Sequence, residues 1–313
     1  MSAFPHHYAV YGVTLRANRP IAGLLPGPED AAVTIDFAGP LAERPVSAPF
    51  FVSGVETLWH LDEERWLIEY SAPERGYVWT ALHEPGRIEV RWNHDAILDD
   101  IAPILQGSCL SATLHLRAIP LLHASILAVD DVAIAIMGAP GAGKSTTAAA
   151  FVAAGYPLVS DDVGALDLSG PAMRVHSGYP RMRLYADSAR AAGFEASALP
   201  RVFHEELLGD KRFVELPPTA FREGPLPLRA IYMLQPRSRQ TAITALDARV
   251  SVPALMQNVY SLRFLDRKRL QDALVNCTRI VSATAIRTLR AADDLAALPA
   301  LVEAIAGDAR AVV

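Results

Sequence analysis

Gly138-Ala139-Pro140-Gly141-Ala142-Gly143-Lys144-Ser145 is the stretch on which the reading of the fold turns. It fits G-x-x-x-x-G-K-[ST] at every required position. An apolar run of strand length, Val132–Met137, leads into it. Ser145–Ala154 then reads as a helix, with Gly155 where a terminating glycine belongs and Pro157 just beyond. Phosphate chemistry explains each residue type. Glycines let backbone N–H groups converge on phosphate oxygens. The helix N-terminus adds partial positive charge. Lys144 supplies a compact point charge for the β- and γ-phosphates, and Ser145 a hydroxyl for Mg²⁺. The candidate nucleotide contacts are therefore Gly138, Ala139, Pro140, Gly141, Ala142, Gly143, Lys144, Ser145 and Thr146. Such a loop serves kinases, ATPases, GTPases and passive sensors alike, so its neighbours must decide among them.

Upstream, Leu121–Val129 and Val132–Met137 are apolar runs separated by Asp130-Asp131, which predicts a hairpin with those acids at its turn. His123 lies in the first run, 21 residues before Lys144. It reads either as a site residue or as a satisfied core histidine. Downstream, Leu158-Val159-Ser160 is a short apolar strand ending in Asp161-Asp162, the latter 18 residues after Lys144. Paired carboxylates beside a magnesium nucleotide can divide labour, one holding the metal and the other accepting a proton. Arg181 and Arg183 are two apart, so on a strand they share a face, where they would meet a phosphate or simply water. Later come a strand at Leu228–Leu234 and three helical patterns near 252–262, 266–279 and 292–305.

The N-terminal third reads differently. All four tryptophans fall within 34 residues, on short β-prone runs at Glu56–Leu61, Arg65–Tyr70, Tyr77–His83 and Arg87–Trp92. Acidic, proline and glycine breaks between them predict an antiparallel meander whose tryptophans serve a core or sheet face. Residues 97–117 follow as a helix. The expected division is a β-rich domain at 1–95 and a phosphate-loop domain at 96–313.

Composition narrows the class. The chain has 313 residues and a formal net charge of −5, without a basic block, so nucleic-acid binding is not expected. Two cysteines far apart supply neither a disulfide scaffold nor a cysteine-based zinc site. No run of about 18 apolar residues predicts a membrane span, and no secretory leader is visible, so a cytoplasmic location is expected. Of 29 basic residues only Lys144, Lys211 and Lys268 are lysines. A lysine at Lys144 has a chemical reason, because the planar guanidinium fork of arginine does not fit the loop's cradle.

The ordered set LLHASIL, MGAPGAGKST and PLVSDD resembles the HPr kinase/phosphorylase family, and with YPRMRL it looks most like the members that phosphorylate lasso-peptide precursors. The family's Glu-x-Arg-Gly signature is not found after the acid pair; Gly178–Tyr185 stands in the comparable region. The resemblance implies an α/β (α+β) architecture: a mixed-sheet P-loop domain of the HPr kinase/phosphoenolpyruvate carboxykinase type. It implies ATP and Mg²⁺ as cofactors. Catalytic roles would fall to Asp162 as base, His123, Lys144 and Arg183. Metal contacts would come from Ser145, Asp161 and Asp162, and further nucleotide contacts from Lys211 and Arg212. The implied partner is a peptide or protein with a serine hydroxyl, such as the C-terminal serine of a ribosomally made precursor; the family also favours a homo-oligomer. A small-molecule kinase and a non-catalytic nucleotide-binding regulator are the alternatives.

Overall fold

The β-prone runs of the N-terminal third build one nine-stranded sheet in the computed structural model, which describes residues 3–40, 48–60, 65–72, 76–83, 86–94, 98–203 and 210–312. Its strands are β1 (His6–Val10), β2 (Val13–Ala17), β3 (Leu25–Pro26), β4 (Val33–Pro40), β5 (Phe51–Ser53), β6 (Glu56–His60), β7 (Arg65–Ala72), β8 (Gly76–His83) and β9 (Arg87–Trp92). They run in the order β3-β1-β2-β4-β9-β8-β7-β6-β5. From β5 to β9 the strands form the expected antiparallel meander. The sheet is not antiparallel throughout, however: β4 pairs in parallel with both β2 and β9. Of the expected breaks at 62–64, 73–76 and 84–86, all but Gly76 and Gly86 lie outside the described residues.

Register places the tryptophans on both faces. Trp59 opposes Leu67 and Trp79 opposes Glu69 on one face, while Trp66 opposes Leu82 and Trp92 opposes Val78 on the other. None is more than 5% exposed, so they are core residues and offer no open aromatic platform. The indole of Trp79 donates to the buried Glu69 carboxylate at 2.8 Å. Helices α1 (Leu98–Ile104) and α2 (Leu110–Leu116) are joined by a π-helical turn, Leu105–Cys109, giving the predicted helical stretch. It belongs with this sheet and not with the phosphate-loop unit, because Gln106 Nε2 donates to Ala22 O at 2.6 Å and Cys109 Sγ lies 3.0 Å from Thr80 Oγ1. The two compact units accordingly part at Ala118/Ile119.

The second unit holds a mixed sheet. Its elements are β10 (Leu121–Val129), β11 (Val132–Met137), α3 (Lys144–Ala153), β12 (Leu158–Ser160), β13 (Val163–Asp167), β14 (Arg174–His176), β15 (Arg181–Tyr185), α4 (Ala186–Ala191), β16 (Lys211–Glu215), β17 (Leu226–Leu234), β18 (Ala242–Ala245), α5 (Ala248–Met256), α6 (Arg267–Ala283), β19 (Ala285–Arg290) and α7 (Leu298–Ala311). β11 lies between β10, its antiparallel hairpin partner, and β17, which runs parallel to it and to β19. The reason β11 is central is legible in Val-Ala-Ile-Ala-Ile-Met: every residue after Val132 is buried, as a strand covered on both faces requires. One face packs Ala124, Ala135 and Ile231 against Leu255, Cys277 and Ile280 of α5 and α6. Helix α3 contacts β10, β11 and α7. It ends in a Schellman motif: Gly155, at φ 91°, donates to Val152 O, and Tyr156 donates to Phe151 O, each at 3.0 Å. β15 and β16 form a separate two-stranded ribbon. Among the described residues, no helix is long and apolar enough to cross a membrane.

Candidate phosphate-transfer site

β11 delivers the chain into residues 138–143, where Gly138, Gly141 and Gly143 all have positive φ. Gly138 has a second reason to lack a side chain. A Cβ there would sit 2.9 Å from Leu234 Cβ at the end of β17, closer than packed carbons come. Gly138→Ala is therefore expected to lower stability by about 1–3 kcal/mol, the usual range for overpacking, read by urea denaturation; an unchanged midpoint would show that Leu234 yields freely. Gly143, at φ 101°, is the N-cap of α3 and no side chain caps the helix, an arrangement in which backbone amides at the first turn face outward.

Lys144 folds back along this loop. Its Nζ donates to Gly138 O at 2.8 Å and to Ala139 O at 3.3 Å, and the residue is 8% exposed. Burial lowers its pKa from the ordinary lysine value, against the opposing pull of Asp162. Thr146 shares a 2.8 Å hydrogen bond with Ser188 of α4, which ties the first turn of α3 to its neighbour.

The acid pair is held by β10. His123 and Ser125, two apart on one strand, face the same way. His123 Nδ1 lies 3.1 Å from Asp162 Oδ1, and Ser125 Oγ donates to Asp161 Oδ1 at 2.9 Å. Asp161 also accepts the Arg183 backbone N–H at 3.0 Å. Asp162 adopts φ 70°, a left-handed conformation that aspartate tolerates better than most residues. Its Oδ2 accepts a 3.1 Å hydrogen bond from the Tyr260 hydroxyl.

The two carboxylates are electrostatically distinct. Burial raises the Asp161 pKa, and the negative charge of Asp162 raises it further. Burial also acts to raise Asp162, but the His123 hydrogen bond and the charges of His123, Arg183 and Lys211 together outweigh it and hold Asp162 well below the usual carboxylate range. A pair of carboxylates pushed apart in this way assigns the ionised role to Asp162. The Tyr260 hydroxyl is pushed well above its ordinary value, first by burial and then by the Asp162 charge, so it stays a donor.

The β15–β16 ribbon sorts the remaining predicted residues by face. Arg181, Arg183 and Tyr185 oppose Glu215, Phe213 and Lys211 on one face. Arg183 reaches the Tyr179 hydroxyl at 3.2 Å, and its charge, like that of Lys211, is felt by Asp162. Arg181 is tied to Glu215. Arg212 opposes Leu184 on the other face, where it pairs with Asp210 at 2.7 Å and donates to Leu199 O at 3.1 Å. The structure thus gathers His123, Lys144, Asp161, Asp162, Arg183 and Lys211, and turns Arg212 away from them.

A cleft of about 470 Å³ opens between the phosphate loop and the segment after α5, bordered by His123, Gly138–Pro140, Asp162, Asn258, Tyr260 and Arg263. That segment pairs with the start of β10: His123 N donates to Asn258 O at 2.7 Å, and Tyr260 N to Leu121 O at 3.1 Å. Tyr260 and Ser125 are the residues sequence reasoning missed. Ser125 had a signal, its i+2 relation to His123 on a strand. Tyr260 had none, being 98 residues from the aspartate it bonds.

Among the described residues, no group of three or more His, Cys, Asp and Glu side chains is arranged to hold a metal ion. By chemical type alone, a hydroxyl and two carboxylates are donors that Mg²⁺ takes, since it binds through one or two carboxylates plus substrate phosphates.

No family model matches the sequence, and no curated protein matches it. Among solved structures, the HPr(Ser) kinase/phosphatase from Coxiella burnetii aligns with 61% of this chain and 90% of its own, at a TM-score of 0.36 and 12% identity.

Proposed function

We propose that the chain is an ATP-dependent kinase that transfers the γ-phosphoryl group to a serine hydroxyl of a peptide or protein. One observation carries the reading: the phosphate loop and the ionised Asp162 border the same cleft. A cleft of this size admits a side chain and its flanking backbone. Lys144 and Lys211 would balance phosphate charge, and Arg183 would add to it. Asp162 would accept the serine proton as the serine oxygen bonds to phosphorus and the bond to the leaving ADP oxygen breaks. His123 and Tyr260, one on each carboxylate oxygen, fix the orientation of that base. Mg²⁺, held by Ser145 and the acid pair, would supply charge neutralisation at the phosphates. Sequence resemblance favours a precursor peptide ending in serine as the acceptor, a cytoplasmic setting and a homo-oligomer. Incubation with γ-labelled ATP and synthetic serine peptides tests the reading, with small hydroxylated compounds as the competing acceptors; label on the small compounds alone would replace it with small-molecule phosphorylation.

Tyr260→Phe probes the orientation of the base without touching the loop. A hydrogen bond to a charged group is worth about 1.5–3 kcal/mol, so turnover should fall about 10- to 100-fold with nucleotide affinity held. Steady-state kinetics alongside calorimetric nucleotide titration checks this, and full turnover would remove Tyr260 from the account.

A further inference from the structure

The phosphate loop has a second flank, away from Asp162, where the acid pair plays no part. There Ala142, Gly143, Thr146 and Thr147 face Arg237, Asp294 and Leu301 across a narrow recess. Arg237 reaches the loop itself: its Nη2 lies 3.5 Å from where a Cβ on Gly143 would stand. Its ion pair with Asp293 is long, at 3.5 Å, and both side chains are well exposed, at 39% and 79%. Such a pair holds the guanidinium weakly.

The main chain that carries it is fixed by hydrogen bonds. Arg237 follows β17, the parallel neighbour of the phosphate-loop strand. Gln235 N donates to Leu289 O at 2.8 Å, Ser238 N to Ala291 O at 3.0 Å, and Asp293 N to Ser238 O at 3.1 Å. These bonds tie the Arg237 segment to the segment after β19, and the two together line the recess opposite the loop. Its volume, about 20 Å³, has no room for a nucleobase.

The direction of a nucleotide on this loop follows from its chemistry. The lysine reaches the β- and γ-phosphates, while the amides around the helix start cradle the α- and β-phosphates. Lys144 and Asp162 mark the γ end. The opposite flank, at Gly143 and Thr146, marks the α end. A guanidinium there suits a phosphate oxygen, to which it can donate two parallel hydrogen bonds.

We propose that Arg237 is a donor-binding residue that grips the nucleotide at its α-phosphate end, opposite the catalytic acids. This rests on the nucleotide-binding part of the proposed function and goes beyond it by assigning a residue that no motif marks. Being remote from the transferred group, Arg237 contributes equally to the ground and transition states, and such contacts appear in KM more than in kcat.

The test is calorimetric titration of the full chain with MgADP, wild type against Arg237→Ala and Arg237→Lys, followed by kinetics with varied ATP. The expected result is a dissociation constant for ADP raised about tenfold by alanine and less by lysine, as loss of one charge-assisted contact implies. The accompanying loss in kcat/KM for ATP is expected to sit in KM. An unchanged ADP affinity in Arg237→Ala would overturn the proposal. So would a loss confined to kcat, which would place the arginine at the transferring phosphate. Failure of the wild type itself to bind ADP would sink the phosphate-loop reading, whereas normal ADP binding without phosphoryl transfer would remove the kinase reading and leave this assignment standing.

Discussion

Asp162→Asn should abolish phosphoryl transfer while nucleotide still binds. The substitution keeps the shape of the side chain and removes its charge. Positioned general bases contribute about 10²–10⁴-fold, and this one carries two dedicated hydrogen bonds, from His123 and Tyr260. A loss of about a thousandfold in turnover is therefore expected. The charge surroundings of Lys144 and Lys211 change too, but the loop amides and Lys144 itself are untouched, so the ADP dissociation constant should move little. Single-turnover transfer from γ-labelled ATP, measured beside ADP titration, separates the two effects. Transfer at near wild-type rate would remove Asp162 as the base and shift attention to Asp161, which is more deeply buried and pushed towards its protonated form.

Lys144→Ala should have the opposite pattern, with nucleotide affinity failing first. The ammonium now braces the loop through the Gly138 and Ala139 carbonyls. Its loss removes a phosphate ligand and the brace together. Hydrogen bonds to charged groups contribute about 1.5–3 kcal/mol each, so ADP affinity should fall about ten- to a hundredfold at tenfold per 1.4 kcal/mol. Lys144→Arg should not restore it, because a planar fork does not occupy the position of a compact ammonium. Calorimetry on both variants checks this, and wild-type affinity in Lys144→Ala would refute the phosphate-loop assignment.

The sequence made the core of this account legible because the site is built from short local patterns. The phosphate loop, the strand before it and the helix after it are contiguous, and so is the LVSDD segment. The meander was legible because β-prone runs and the breaks between them are local as well. What sequence could not show depends on pairing. The parallel joins of β4 to β2 and β9 bring together segments far apart in the chain. The separation of Lys211 from Arg212 follows from strand register on β16, which two adjacent cations do not disclose. Tyr260 reaches Asp162, and Arg237 the phosphate loop, through tertiary packing alone; in a chain with 26 arginines, no composition signal singles out one.

The most direct measurement of the central claim is mass spectrometry of a synthetic serine-ended peptide after incubation with the purified protein, Mg²⁺ and ATP, run in parallel with Asp162→Asn. One phosphoryl group is expected on the serine of the wild-type product and none from the variant. An unmodified peptide with the wild type, or equal phosphorylation by both proteins, would contradict it.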